Sequence, residues 1–386
     1  MAALAAGRGV TASPGLADLV DLAHRAALTE VELWRVSVPL VTPHRAAHGT
    51  ETDRQVVLVR VGLGDGTSGW GECPTLTHPT YAAEYTAGAF ALLRDEVVPW
   101  LLGGPGAGPV GHPMATAAVL TAHLDATLRQ QGVALAERLG STHGRPSTTV
   151  ATTAVVGRHH EVDALLATVA ARVGAGAALV KLKVSPHPAD LEAARAVRST
   201  WPDLALAVDA NGTLDARAAA LLDELSLVYL EQPAPADDLL GSAALARRLS
   251  CPVALDESVT SLAALEVAVA VGAGTVVNVK PARLGGPLAA AVVARAAADA
   301  GCGVFVGGML ETAVGRAASA AVAALPVCTF PTDLGPSSRY FESDLAAPLV
   351  VDAAGRLEVP SGPGIGVTPD PAGLQRFTVD HGLWRR

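Results

Sequence analysis

Residues 178–186 read ALVKLKVSP, with two lysines one residue apart inside an apolar run. In an extended strand side chains alternate between faces, so Lys181 and Lys183 point the same way. Two ammonium groups side by side in an apolar setting repel each other, and each resists being charged. Such a neighbour, or desolvation, can make a lysine a useful base near neutral pH. Lys183 is read as the base and Lys181 as the neighbour that depresses it.

Three acids follow at the ends of successive apolar runs: Asp209 in VDANG, Glu231 in LEQP and Asp256 in LDES. Taken singly, Asp209 could cap a turn, Glu231 could end a strand and Asp256 could be a helix N-cap. Together at one place they would repel one another unless a cation sat among them. Hard oxygen ligands with no His or Cys nearby in sequence suit Mg²⁺, or Mn²⁺, rather than zinc. Beyond them comes Lys280, in NVKPARLGG. The order lysine strand, three acidic strands, lysine strand places ammonium groups on opposite sides of a metal-bound substrate. A carbon acid next to a carboxylate gives up its proton only if the resulting enediolate is stabilised, which a divalent cation can do. Lys183 would remove that proton.

These side chains need a scaffold that brings distant strand ends together. From residue 147 short apolar runs alternate with helical segments, and their charged or Gly-rich ends fall at Lys181, Asp209, Glu231, Asp256, Lys280 and Gly307. The intervals are 28, 22, 25, 24 and 27 residues, each about one strand, one helix and two loops. Such units build a doubly wound sheet or a barrel of parallel strands. No GxGxxG opens the first unit, so a dinucleotide fold is weakly supported. A barrel gathers the C-terminal strand ends at one mouth, and every charged residue above lies at or near such an end. The reading is therefore a barrel.

Residues 31–146 have a different texture. The strand-like runs VELWRVSVPL and RQVVLVRVGL lead through a Gly-Asp-Gly hairpin signal to GWGEC. Helical patterns over YAAEYTAGAFALLRDEVVPWLL and MATAAVLTAHLDATLRQQGVALAERLG complete an α+β domain. Residues 1–30 read as an extension with a short helix around ADLVDLAHRAAL, 147–330 as the barrel, and 331–386 as a tail returning to the first domain. The chain of 386 residues is half hydrophobic, with a formal charge of −9 and 4% aromatic residues. That argues against a nucleic-acid surface. No apolar run reaches the roughly 20 residues needed to span a bilayer, and no secretory signal opens the chain. Cys73, Cys251, Cys302 and Cys328 show no metal or disulfide spacing and read as buried thiols of a cytoplasmic protein.

The motifs KLK (181–183), VDAN (208–211), EQP (231–233), LDES (255–258), VNVKPARLGG (277–286) and GGMLETAVGRA (307–317) together resemble the muconate-lactonizing subgroup of the enolase superfamily. Within it the chain is most similar to o-succinylbenzoate synthases and N-succinylamino acid racemases, and GWGECPTLTHPTYAAEYTAGA fits the same pattern. The similarity runs over about 31–370. The resemblance implies an α+β capping domain over a modified (β/α)7β TIM barrel, with Mg²⁺ on Asp209, Glu231 and Asp256. It implies Lys183 and Lys280 as acid/base lysines with Lys181 tuning Lys183, and Asn211 and Glu311 near metal and substrate. Arg283 would set the reactivity of Lys280, or would be a surface ion pair. Two departures stand out: Ala282 replaces the glycine of the usual K-P-G-R, and the loop LVTPHRAAHGTETDR carries His44 and His48 where the resemblance leads one to expect apolar or aromatic residues. The simpler reading of both histidines is that they are solvated loop residues.

The resemblance implies a small carboxylate substrate and possible self-association. The first reaction to expect is dehydration of 2-succinyl-6-hydroxy-2,4-cyclohexadiene-1-carboxylate to o-succinylbenzoate in menaquinone synthesis. The second is racemisation of N-succinylamino acids, with one lysine serving each face. Muconate-type cycloisomerisation stands further from the motifs. A metal-free Schiff-base aldolase is disfavoured by the three carboxylates, and a non-catalytic binding protein by the presence of every lysine and acid.

Overall fold

The computed structural model describes residues 28–46, 49–104, 109–159 and 161–386. The extension helix expected before residue 28 and His48 lie outside the described residues. Strands β1 (Leu28–Ala46), β2 (Gly49–Leu63) and β3 (Ser68–Cys73) run as an antiparallel meander. The Gly-Asp-Gly signal forms the β2–β3 turn, where Gly66 takes φ +87° and its N–H donates to Leu63 O. His44 pairs with Glu51 near the tip of the β1–β2 hairpin.

In GWGEC the glycines have a packing reason. A Cβ on Gly69 would stand 2.1 Å from Ala126 N, and one on Gly71 would stand 1.9 Å from Ala118 O. Only glycine lets the helix Pro113–Gln131 lie this close to β3. The intervening Trp70 stacks on Trp34, with ring centroids 4.9 Å apart. The helical pattern expected over 114–140 is two helices, Pro113–Gln131 and Leu135–His143. Gly132 breaks it by closing the first helix in the left-handed conformation at φ +69°.

Strands β4 (Thr149–Ala151), β5 (Thr153–Val156), β6 (Leu179–Lys183), β7 (Leu206–Asp209), β8 (Leu230–Glu231), β9 (Val253–Leu255), β10 (Val276–Val279) and β11 (Gly303–Val306) follow. β5 to β11 lie side by side in chain order, all parallel, and a helix links each to the next. Residues of β7, β8, β9 and β10 are buried throughout, as expected of strands covered on both faces. Several connecting helices start on a side chain that accepts a backbone N–H: Asp215, Asp238, Ser261 and Thr312.

An irregular segment closes the ring. Phe330 N and Asp333 N donate to Val304 O and Val306 O on β11. On the other side Thr332 N donates to Ala151 O and Thr153 N to Thr332 O. The boundary between barrel and tail expected at 330/331 falls inside this segment. The tail then adds β12 (Arg356–Glu358) to β4 and β13 (Thr378–Arg385) to β1, both antiparallel. The result is the enolase-type arrangement, a modified TIM barrel with an antiparallel α+β capping domain. Among the described residues no helix is long and apolar enough to cross a membrane, and all four cysteines are free.

Candidate active site

The parallel register sets the site. β6 pairs Lys183 with Asp209 on β7, and β7 pairs Asp209 with Glu231 on β8, so each strand end delivers its side chain to the same mouth. Lys181 Nζ lies 2.5 Å from Glu231 Oε2 and 2.5 Å from Asp333 Oδ2. Lys183 Nζ donates to Asp209 Oδ2 at 2.6 Å and to Asn211 Oδ1 at 3.0 Å. Across the mouth Lys280 Nζ donates to Asp256 Oδ2 at 2.7 Å and to the Tyr81 hydroxyl at 3.1 Å. Arg283 is buried; it donates to Asp256 Oδ1 at 2.7 Å, to the Asp256 carbonyl and to Tyr81. Asn278 donates to Glu231 Oε1 at 2.7 Å. Two turns at the strand ends carry unusual backbone, Asn211 at φ +44° and Gln232 at φ +39°. Gln232 Oε1 accepts from the N–H groups of Asp256 and Ser258 and so binds the β8 end to the β9 end.

Burial and charge pull these groups in opposite directions. Glu231 is pushed up to about 8 by burial; Lys181 opposes this, and the charges of Asp209, Asp333 and Asp256 add to it. Burial also acts to raise Asp256, but Lys280 and Arg283 hold it well below the usual carboxylate range. Lys183 corrects the sequence reading. Burial and Lys181 do act to lower it, as expected, but Asp209 and Glu231 outweigh them and the ammonium sits above its ordinary value. Lys280 is likewise raised, with Asp256 outweighing burial. Both lysines are thus held protonated by the carboxylates they touch.

The family described as enolase C-terminal domain-like matches residues 164–373, more than half of the chain. The chain belongs to the enolase superfamily. An N-succinylamino acid racemase of Amycolatopsis sp is 40% identical over 366 residues, covering 91% of this chain and 98% of that protein. An o-succinylbenzoate synthase of Geobacillus kaustophilus is 34% identical, covering 92% and 97%. Among solved structures, a probable mandelate racemase from Alicyclobacillus acidocaldarius superposes with TM-score 0.83 at 37% identity, covering 93% of this chain and 99% of that one. A muconate lactonizing enzyme from Pseudomonas fluorescens superposes with TM-score 0.85 at 25% identity, covering 92% and 99%.

Enolase-superfamily chemistry raises the question of a divalent cation. Among the described residues no three acidic, imidazole or thiol side chains stand ready-made around one point, because ammonium and guanidinium groups occupy the carboxylate oxygens. The donor set nevertheless fits. Asp209, Glu231 and Asp256 end adjacent parallel strands and all are buried; burial is the main cause of the rise of Glu231, and the charges of Asp209 and Asp256 add to it. Three hard oxygen donors whose charges repel suit Mg²⁺ or Mn²⁺.

The structure thus gathers Lys181, Lys183, Asp209, Asn211, Glu231, Asp256 and Lys280 around one cavity, with Arg283 braced behind Asp256 and Lys280. Buried Arg283 is not a surface ion pair. Glu311 stands just behind the mouth. Leu310 turns through φ +56°, and the Glu311 carboxylate lies beside Glu72 while its Oε2 would stand 3.2 Å from a Cβ on Gly308, which lines the mouth. Four contributors were not singled out from the sequence: Tyr81, Asn278, Gln232 and Asp333. The first three lie inside motifs quoted above. Asp333 lies in the irregular segment that closes the ring, where Pro331 and the lack of a strand pattern leave nothing to mark it.

Proposed function

We propose that this enzyme racemises N-succinylamino acids by moving the α proton between Lys183 and Lys280. The observation that carries the proposal is the placement of these lysines on either side of the acid cluster. Lys183 ends β6 and Lys280 follows β10, with the carboxylates of Asp209, Glu231 and Asp256 between. An amine on each flank is what a transfer from one face of a carbon to the other requires.

Asp209, Glu231 and Asp256 would hold Mg²⁺ or Mn²⁺. A divalent ion there would supply positive charge against the growing charge of the deprotonated substrate and would neutralise the carboxylates that keep the lysines protonated. With Asp209 neutralised, burial and Lys181 are left to pull Lys183 down, which is the tuning the two-lysine spacing suggested. Neutral Lys183 takes the α proton of one enantiomer as the electron pair moves into the substrate carboxylate. The Lys280 ammonium then returns a proton to the opposite face, and the other enantiomer reacts in reverse. Tyr81 and Arg283 hold Lys280 in place.

Dehydration to o-succinylbenzoate is the second reading, favoured by relatives of that name at 31–34% identity along almost the whole chain. It uses Lys183 alone for proton transfer: the amine takes the α proton and gives it to the departing hydroxyl, with Lys280 as a fixed cation. Chiral chromatography of N-succinylphenylalanine incubated with enzyme and Mg²⁺ separates the readings. Racemisation abolished by chelator supports the proposal. No racemisation, together with metal-dependent formation of o-succinylbenzoate from the cyclohexadiene, would leave the second reading.

A further inference from the structure

Arg339 stands apart from the other cations of the mouth. Lys181, Lys183 and Lys280 each sit on a carboxylate. Arg339 lines the same cavity, yet among the described residues no carboxylate lies within ion-pair distance of it. Its guanidinium is held by neutral groups: it donates to the Val155 carbonyl at the end of β5, and it lies over the Tyr340 ring at 5.3 Å from the centroid. The Tyr340 carbonyl in turn accepts from Val41 N, so the capping hairpin covers the mouth at this point.

The neighbourhood is electropositive. Arg339 also lines an adjoining cavity of about 450 Å³ together with Arg172. Burial, and then the charge of Arg339, lower the Arg172 pKa. Asp352 on that wall is engaged by its own turn, accepting from the N–H groups of Ala354 and Arg356. A guanidinium presents a planar fork of donors that matches a carboxylate, and among the described residues the Val155 carbonyl is its one hydrogen-bond acceptor.

We propose that Arg339 binds the second, distal carboxylate of the substrate, making this enzyme selective for dicarboxylates. The inference rests on the reading that the substrate carries a succinyl arm, and it deepens that reading by naming what holds the arm. One carboxylate lies at the acid cluster, where the α carbon meets Lys183 and Lys280. The other leaves along the wall of Val155 and Tyr340 to meet Arg339. Arg339 is a specificity residue that takes no part in proton transfer.

Binding separates this idea from the reaction. N-succinylglycine and N-butyrylglycine differ in having a carboxylate or a methyl group at the far end, and neither has enantiomers. Titration calorimetry with the Mg²⁺-loaded enzyme should show the succinyl compound binding about tenfold more tightly, the scale of one charge-assisted contact. Arg339→Gln should erase that preference while leaving N-butyrylglycine affinity unchanged, and Arg339→Lys should keep part of it. Equal affinities in the wild type, or a preference that survives Arg339→Gln, would overturn the proposal. Racemisation of N-succinylphenylalanine is scored separately. A preference lost in Arg339→Gln without racemisation would sink the racemase reading and keep Arg339. Racemisation with an unaltered preference would do the opposite.

Discussion

Glu72 of the capping sheet accepts a 2.6 Å hydrogen bond from the hydroxyl of Thr312, the residue that caps the last barrel helix, Ala313–Ala323. The same carboxylate accepts from the backbone N–H groups of Thr312 and Gly315. A carboxylate at a helix N-terminus is favourably placed against the helix dipole. It is also how the capping domain grips the barrel directly behind the mouth.

This contact gives a pH signature. Burial pushes Glu72 up to about 7 from an unfolded value of 4.5, despite the three hydrogen bonds. The folded state therefore keeps a proton that the unfolded chain releases. The associated stability is full below pH 4.5 and is lost as pH rises to about 7, up to about 3 kcal/mol in all. Urea midpoints of wild type and Glu72→Gln should therefore draw together or cross as pH rises from 5 to 8, the wild type losing more. Parallel curves would show that Glu72 is ionised throughout.

Arg54 is a second tie between the layers. Fully buried, it donates to the carbonyls of Gln55, Pro74 and Thr75 in the capping domain and of Met309 and Leu310 at the mouth. Its nearest carboxylate, Glu51, is 3.8 Å away, so the bonds rather than an ion pair hold it. Arg54→Met would leave five carbonyls without this donor, and we expect a loss of about 3–5 kcal/mol. Chemical denaturation would measure it, and a loss under 1 kcal/mol would mean that water or a neighbour replaces the guanidinium.

How far the sequence reached can be judged at individual residues. Lys181, Asp209, Glu231, Asp256 and Lys280 could be placed at one mouth because apolar runs recur at a nearly constant interval and parallel strands align their ends. The charge on Lys183 could not be read, since spacing shows the neighbouring Lys181 but not Asp209 at 2.6 Å on the next strand. Tyr81 reaches the mouth from the capping domain, a contact across about two hundred residues that no local pattern encodes. That Glu311 stands behind the wall at Gly308, beside Glu72, could not be read either, since the positive φ of Leu310 is invisible in a string of letters.

Lys181 supplies a test of the metal reading. It is buried between Glu231 and Asp333, and Lys181→Met would leave both carboxylates without their cation. In chelator the variant should lose about 3–5 kcal/mol. Added Mg²⁺ should then raise its melting temperature by more than it raises that of the wild type, because an ion now neutralises charge that Lys181 had balanced. Equal Mg²⁺ shifts in the two proteins would argue against a cation at Glu231.

The most direct measurement is exchange of the α proton of each enantiomer of N-succinylphenylalanine in D₂O, followed by NMR with wild type, Lys183→Ala and Lys280→Ala in the presence of Mg²⁺. The wild type should exchange and interconvert both enantiomers. Each variant should keep exchange of one enantiomer only, a different one in each case, with no interconversion. If both variants retained the same enantiomer, or if either still racemised, the assignment of one lysine to each face would be wrong.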